Sequence, residues 1–166
     1  MKPIEKLVFK SKEEVYKYAN IKLVGLVASE DNTLANLSNA AALLGFLLDD
    51  INWAGFYFIR EGLLKLGPFQ GKPACTTLNL GNGVCGTAAQ TKEVQIVENV
   101  DCFVGHVACD PDSKSEIVFP IIVDGNVIGV LDVDSPIYNR FDEEDRVGLE
   151  RIVNTLNKYI KWNEIV

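Results

Sequence analysis

The sequence predicts an α+β fold, an antiparallel sheet with the N- and C-terminal helices packed on one of its faces. Three observations lead there. The chain opens with two segments whose apolar residues recur at helical spacing. Its middle alternates short β-branched and aromatic runs with turn residues, and it closes on one more amphipathic helical segment. No internal repeat or low-complexity linker interrupts this order, and 166 residues suit a single domain spanning 1–166.

The first helix is expected over residues 12–29. Ser11 with Glu14 three positions on reads as a capping box, and Val15, Ala19, Leu23 and Leu26 form the apolar stripe. Asp31 is an acceptable cap for a second helix striped by Leu34, Leu37, Ala41, Leu44 and Leu48. Strands are expected at 53–60 and 63–70, joined by Glu61-Gly62, and at 76–80. Gly81-Asn82-Gly83 leads into a short helix at 84–92, and 94–97 returns to a strand pattern before an irregular stretch, 98–114. The runs 117–123 and 127–133 flank Asp124-Gly125, the strongest hairpin signal in the chain. Asp142, with three acidic residues behind it, starts the last helix, striped by Leu149, Ile152, Val153, Leu156 and Ile160.

Strand parity in that hairpin gathers a set of acids. Ile117, Phe119, Ile121 and Val123 share one face, as do Val127, Gly129, Leu131 and Val133 on the next strand. A three-residue loop, Val123-Asp124-Gly125, pairs Ile122 with Asn126 and sets Glu116 opposite Asp132. Glu116, Asp132 and Asp134 then project together from the face opposite the apolar set. A two-residue loop puts Glu116 on the wrong face, since a one-residue slip inverts every side chain, and Pro120 is a place where a bulge can enter. Three converging carboxylates repel unless protons or a cation sit among them. No loop of calcium-binding spacing is present, and the ammonium group of a small zwitterion fits better than a metal. The bland alternative is that Asp132 and Asp134 only initiate the turn before Pro136.

Composition narrows the function. Lys and Arg total 16 against 23 Asp and Glu, a formal charge of -7 that disfavours nucleic acid and anionic membrane as partners. The first six residues carry no apolar signal-peptide run, and the longest largely apolar stretch, 40–48, is far below the roughly 20 residues that span a bilayer. A cytoplasmic protein is expected. The four cysteines, Cys75, Cys85, Cys102 and Cys109, are too few for a disulfide scaffold. Cys102, His106 and Cys109 offer three soft ligands but no CxxC pair for zinc, and a Cys-His hydrolase has only His106 as its base. Buried inert thiols are the commonest outcome for isolated cysteines. Cys75 and Cys109, however, lie among Gly, Pro, Asp and Thr, where thiols tend to be accessible, so redox chemistry remains open.

Four stretches carry a resemblance. Residues 67–75 (GPFQGKPAC), 81–86 (GNGVCG), 105–110 (GHVACD) and 129–135 (GVLDVDS) closely resemble the free methionine-(R)-sulfoxide reductases, single GAF-domain enzymes. The likeness runs from about Asn52 to Asp145. It departs at Val104, where the family usually has proline, and at Cys102, a thiol beyond the family's three. The resemblance implies a GAF-like fold with a ligand pocket on the sheet face opposite the terminal helices. It also implies that the cysteine matching Cys109 attacks the sulfoxide sulfur and is left as a sulfenic acid. The one matching Cys85 resolves it as a disulfide, and the one matching Cys75 takes part in a second exchange before thioredoxin restores the thiols. Positions matching Glu116, Asp132 and Asp134 bind the ammonium and sulfoxide ends of free methionine sulfoxide, and Trp53 and Tyr57 match the methylsulfinyl pocket. For those two aromatics the plain alternative is sheet packing.

No metal or organic cofactor is expected, and Asp134 or Glu116 is the proton donor expected for the departing oxygen. The competing class is a stand-alone GAF sensor that binds a small ligand without catalysis. A homodimer is also expected. The first two helices offer more apolar surface than a single sheet face readily covers, with Leu26 and Val27 on one and Leu43, Leu44, Leu47 and Leu48 on the other, and the family points the same way.

Overall fold

Ser11 caps the first helix as its spacing predicts. Its hydroxyl accepts the Glu14 N–H at 3.3 Å, although the Glu14 carboxylate reaches past Ser11 to the Lys10 N–H. In this computed structural model, which describes residues 4–107 and 109–165, the helices are α1 (Lys12–Val27), α2 (Thr33–Leu47), α3 (Gly83–Thr91) and α4 (Glu143–Tyr159). The strands are β1 (Trp53–Arg60), β2 (Leu63–Gly71), β3 (Thr77–Asn79), β4 (Gln95–Val97), β5 (Ser115–Val123) and β6 (Asn126–Ser135). Ala108 of the Gly105–Asp110 motif and the first three residues lie outside the described set. The cap of α2 is Asn32 rather than Asp31, its side chain accepting the Ala35 N–H at 2.9 Å. The expected irregular stretch contains one 3-10 turn, Val100–Cys102. No helix among the described residues is long and apolar enough to cross a membrane.

The six strands form one antiparallel sheet in the order β3-β2-β1-β6-β5-β4. Alternation along β1 divides the molecule. Ala54, Phe56 and Phe58 point into the larger core beneath α1, α2 and α4, while Trp53 and Tyr57 point to the opposite face, where α3 packs with Val84 and Ala88. The leucines expected to face a partner are used inside the chain. Val27, Leu43, Leu44, Leu47 and Leu48 are buried in the larger core and Leu26 packs against it, because α2 lies on both the sheet and α1. Leu34, expected in the buried stripe, is instead 60% exposed.

The hairpin reaches the expected face by a different register. Val123 pairs with Asn126 across a two-residue turn, with Asp124 and Gly125 both left-handed at φ 49° and 78°. One step further in, Ile122 pairs with Val127 but Ile121 pairs with Gly129, so Ile128 is an extra residue in β6. The bulge offsets the inversion that a two-residue loop alone produces. Glu116 therefore lies opposite Asp134, not Asp132, yet all three acids share a face. The same bulge turns Val127 to the α3 side, against expectation, and Ile128 to the helical core.

Asp145 ties the helical layer together. Its carboxylate is fully buried and accepts the Tyr16 hydroxyl at 2.8 Å, Lys12 Nζ at 2.5 Å, Arg140 at 3.1 Å and, closing the α4 capping box with Asp142, the Asp142 N–H at 3.0 Å. Gly148, one turn on, leaves room for the Tyr16 ring, which an added Cβ would meet at 2.1 Å. Replacing Asp145 with Ala strands a buried tyrosine hydroxyl and a poorly exposed arginine. Asp145→Ala is expected to lose about 3–5 kcal/mol of stability in urea unfolding, and Lys17→Ala, which removes an exposed pair with Glu13, to leave stability nearly unchanged.

Candidate active site

Three central strands supply the floor of the site. Cross-strand pairs place Trp53 beside Asp134, Gly55 beside Asp132 and Tyr57 beside Val130, with Glu116 across from Asp134. All the side chains in these pairs emerge on the α3 face. Gly55 is required there. A Cβ at that position would stand 2.4 Å from Phe69 Cβ and 2.6 Å from the Trp53 ring. Its absence lets Trp53 stack on Phe69 at 5.3 Å and 15°, and on Tyr57 at 5.8 Å and 26°. The two predicted aromatics thus pack on the sheet and line the cavity together.

Glu116, Asp132 and Asp134 bring carboxylate oxygens within 4.8 Å of one another. Burial raises the pKa of all three. The Asp132 and Asp134 charges push Glu116 further up, and the Asp134 charge does the same to Asp132. Asp134 is pushed up to about 6, held back by the hydrogen bond it shares with Glu116. The cluster therefore holds its protons more tightly than isolated carboxyls would. Cys85, in the first turn of α3, donates its thiol to Asp132 Oδ2 at 3.2 Å; burial and then the Asp132 charge hold its pKa well above the ordinary thiol value.

Two loops close the cavity. Cys75, between β2 and β3, and Cys109, between β4 and β5, are joined by a disulfide with Cα atoms 5.3 Å apart, while Cys85 and Cys102 are free. The Tyr57 hydroxyl donates to the Cys75 carbonyl at 3.0 Å. Asp110, absent from the sequence-based candidates, is buried beside Cys109 and accepts Asn52 Nδ2 at 3.2 Å and the Asp112 N–H at 3.0 Å. Its only sequence signal was its place in the Gly105–Asp110 motif. Cys102 is exposed and Cys109 is bonded to Cys75, so the zinc set considered for Cys102, His106 and Cys109 does not form. His106 lines the cavity, its pKa lowered by burial.

The unpartnered groups define what fits. Asp132 Oδ1 and Trp53 Nε1 are buried without hydrogen-bond partners among the described residues. Each costs about 1–3 kcal/mol until a ligand reaches it. Asn82 makes no side-chain cap on α3, and with Gly83 and Val84 it lines the same cavity, leaving first-turn N–H groups for an anion. The acids can hold an ammonium or a metal ion, but an indole N–H cannot ligate a metal. A small molecule with a cationic end and an accepting end satisfies both.

Residues 24–160 match the GAF-domain family. The free methionine-R-sulfoxide reductase of Escherichia coli is 49% identical over 150 residues, 90% of this chain and 91% of its own. That of Saccharomyces cerevisiae is 47% identical over 156 residues, 89% and 87% of the two chains. The solved free methionine-R-sulfoxide reductase of Neisseria meningitidis, in complex with its substrate, superimposes with a TM-score of 0.93 at 36% identity, covering 99% of this chain and 98% of that one.

The acid cluster carries a pH signature. Groups that hold protons more tightly when folded stabilise the fold below their unfolded pKa, and that contribution is lost as pH rises through the folded value. For Asp134 the window runs from 3.8 to about 6. The variant Glu116→Gln/Asp132→Asn/Asp134→Asn is therefore expected to gain stability relative to the unsubstituted chain as pH rises from about 4 through about 6. Urea unfolding across that range checks it, and a pH-independent difference contradicts proton retention by the three.

Proposed function

This chain belongs to the GAF-domain family and, within it, to the free methionine-(R)-sulfoxide reductases, and from that premise we propose that its cavity reduces free L-methionine-(R)-sulfoxide to L-methionine on Cys109. The observation that carries the reading is the Cys75–Cys109 disulfide set over a wall of three proton-holding carboxyls. The substrate's ammonium group enters the acid cluster, its carboxylate takes the open first turn of α3, and its methylsulfinyl end lies against Trp53 and Tyr57.

The Cys109 sulfur attacks the sulfoxide sulfur while Glu116 delivers a proton to the oxygen, which is a poor leaving group unprotonated. Oxygen passes to the cysteine: thiol plus sulfoxide give sulfenic acid plus thioether. The Cys75 thiol then displaces hydroxide from that sulfenic acid, forming the disulfide and water. An external dithiol of the thioredoxin kind reduces the disulfide and closes the cycle. The resemblance implied Cys85 as the first resolving thiol. The disulfide on Cys75 supports a direct route instead, and burial among carboxyls makes Cys85 a weak nucleophile suited to steadying Asp132.

A reducing cytoplasm suits thiols that must be regenerated. A homodimer is the proposed assembly, with the exposed Leu34 and Phe46 along α2 taking the place of the internally packed leucines as the contact. Light scattering at micromolar concentration is expected to give twice the 18.3 kDa of one chain, and the mass of a single chain contradicts the dimer.

Turnover with a dithiol tests the central proposal. The free R epimer is expected to yield methionine, whereas the S epimer and N-acetyl-methionine sulfoxide are not, since an amide cannot occupy the ammonium site. Equal turnover of the acetylated substrate overturns the assignment. Glu116→Gln should lower kcat by about 10²- to 10⁴-fold. Without reductant, Cys109→Ser is expected to form no methionine, Cys75→Ser to release methionine but form no disulfide, and Cys85→Ser to keep the Cys75–Cys109 link.

A further inference from the structure

The two proposed redox thiols lie on segments that no strand or helix fixes, so something besides the disulfide must bring them together once it is open. Cys75 follows the end of β2 and Cys109 sits in the connection before β5. The Cys109 side is well anchored. Next to it, Asp110 is gripped by Asn52, Ser113 accepts Asn52 Nδ2 at 3.0 Å, and the Lys114 N–H donates to the Ser135 carbonyl at 2.7 Å. The Cys75 side has fewer ties, among them the Tyr57 hydroxyl bond and the bond from Leu66 N–H to the Thr76 carbonyl at 3.1 Å.

One side chain crosses between them. Lys72, three residues before Cys75, extends its ammonium group to Asp112, with which it makes a hydrogen-bonded ion pair, and stands 3.6 Å from Asp110 Oδ1. Asp110 immediately follows Cys109. The segments are therefore closed by two links, the disulfide and an ion pair whose inner carboxylate is buried.

We propose that Lys72 is a positioning residue, its ammonium group holding the Cys75 segment against the Cys109 segment while both thiols are reduced. This rests on the reading above, in which Cys75 resolves the sulfenic acid on Cys109. The two links favour each other by thermodynamic reciprocity, so whatever the disulfide does for the ion pair, the ion pair does for the disulfide. An ion pair suits the task. It confines the loops without a covalent bond, so they can part to admit the substrate and return before the sulfenic acid is oxidised further to a sulfinic acid. Lys72 is 59% exposed, so salt screens the attraction, and the ammonium pKa is raised by the hydrogen bond to Asp112, which keeps the charge in place.

The test is a redox titration in reduced and oxidised glutathione with no sulfoxide present, made in a Cys102→Ser background so that the exposed fourth thiol does not react. Peptide mapping reads the fraction of Cys75 joined to Cys109. The exchange balances as dithiol plus oxidised glutathione giving disulfide plus two reduced glutathiones. Lys72→Gln is expected to lower the equilibrium constant for the link about two- to fivefold at low salt, with Lys72→Arg close to the starting chain. The gap should narrow at about 1 M salt, a response that a purely steric role would not give. Constants equal within about 1.5-fold at low salt, or a gap unchanged by salt, overturn the proposal. Because the titration needs no turnover, failure of the reductase reading shows separately, as absence of methionine in the turnover assay.

Discussion

Burying Glu116, Asp132 and Asp134 together on one sheet face is the constraint around which the site is arranged. Isolated carboxylates are costly to remove from water, and three at once are tolerable only with protons or a cation among them. Burial accordingly raises all three pKa values, and Asp134 reaches about 6. On the proposed reading, the same electrostatics couple binding to acid catalysis: an arriving ammonium lowers the affinity of the cluster for its protons, so a proton held there becomes easier to release when the substrate is seated.

The rest of the fold serves that face. With α1, α2 and α4 stacked on one side of the sheet, the other side is covered by α3 and two loops, and the cavity lies where that cover is incomplete. The helical side can be rigid because Asp145 is satisfied four times over and locks α1 to α4. The site side depends on small geometric permissions. Gly55 lets the indole lie flat, and the extra Ile128 in β6 restores the parity that a tight turn would have reversed.

Those permissions mark the limit of what the sequence disclosed. Alternation of side chains brought Glu116, Asp132 and Asp134 to one face, because parity survives any even change of register. It could not choose between a three-residue loop and a two-residue loop with a bulge, since both leave the acids aligned and only the second moves Val127. Helical periodicity marked Leu43, Leu44, Leu47 and Leu48 as apolar but not as internal, a distinction set by how α2 is sandwiched between the sheet and α1. Asn32 took the cap from Asp31 because the neighbouring side chains are nearly equivalent caps and the chain direction decides. Lys72 and Asp110 gave no signal of pairing at a separation of 38 residues, a contact that only the loop geometry creates.

Four cysteines in three surroundings show why residue type alone left their chemistry open. Cys102 is exposed, Cys85 is buried against a carboxylate, and Cys75 and Cys109 meet between two loops. A thiol acts as a nucleophile in proportion to its thiolate character and its access. Beside Asp132 a thiolate would add negative charge to a cluster that already retains protons, so Cys85 stays a donor. The loop cysteines stand on segments that no strand or helix fixes. A redox cycle needs that freedom, because a disulfide must open for substrate and close after it. On the proposed reading, the sulfurs that react are therefore the two carried by loops, apart from the hydrogen bond that ties Cys85 to Asp132, and the buried carboxyls orient the substrate toward them.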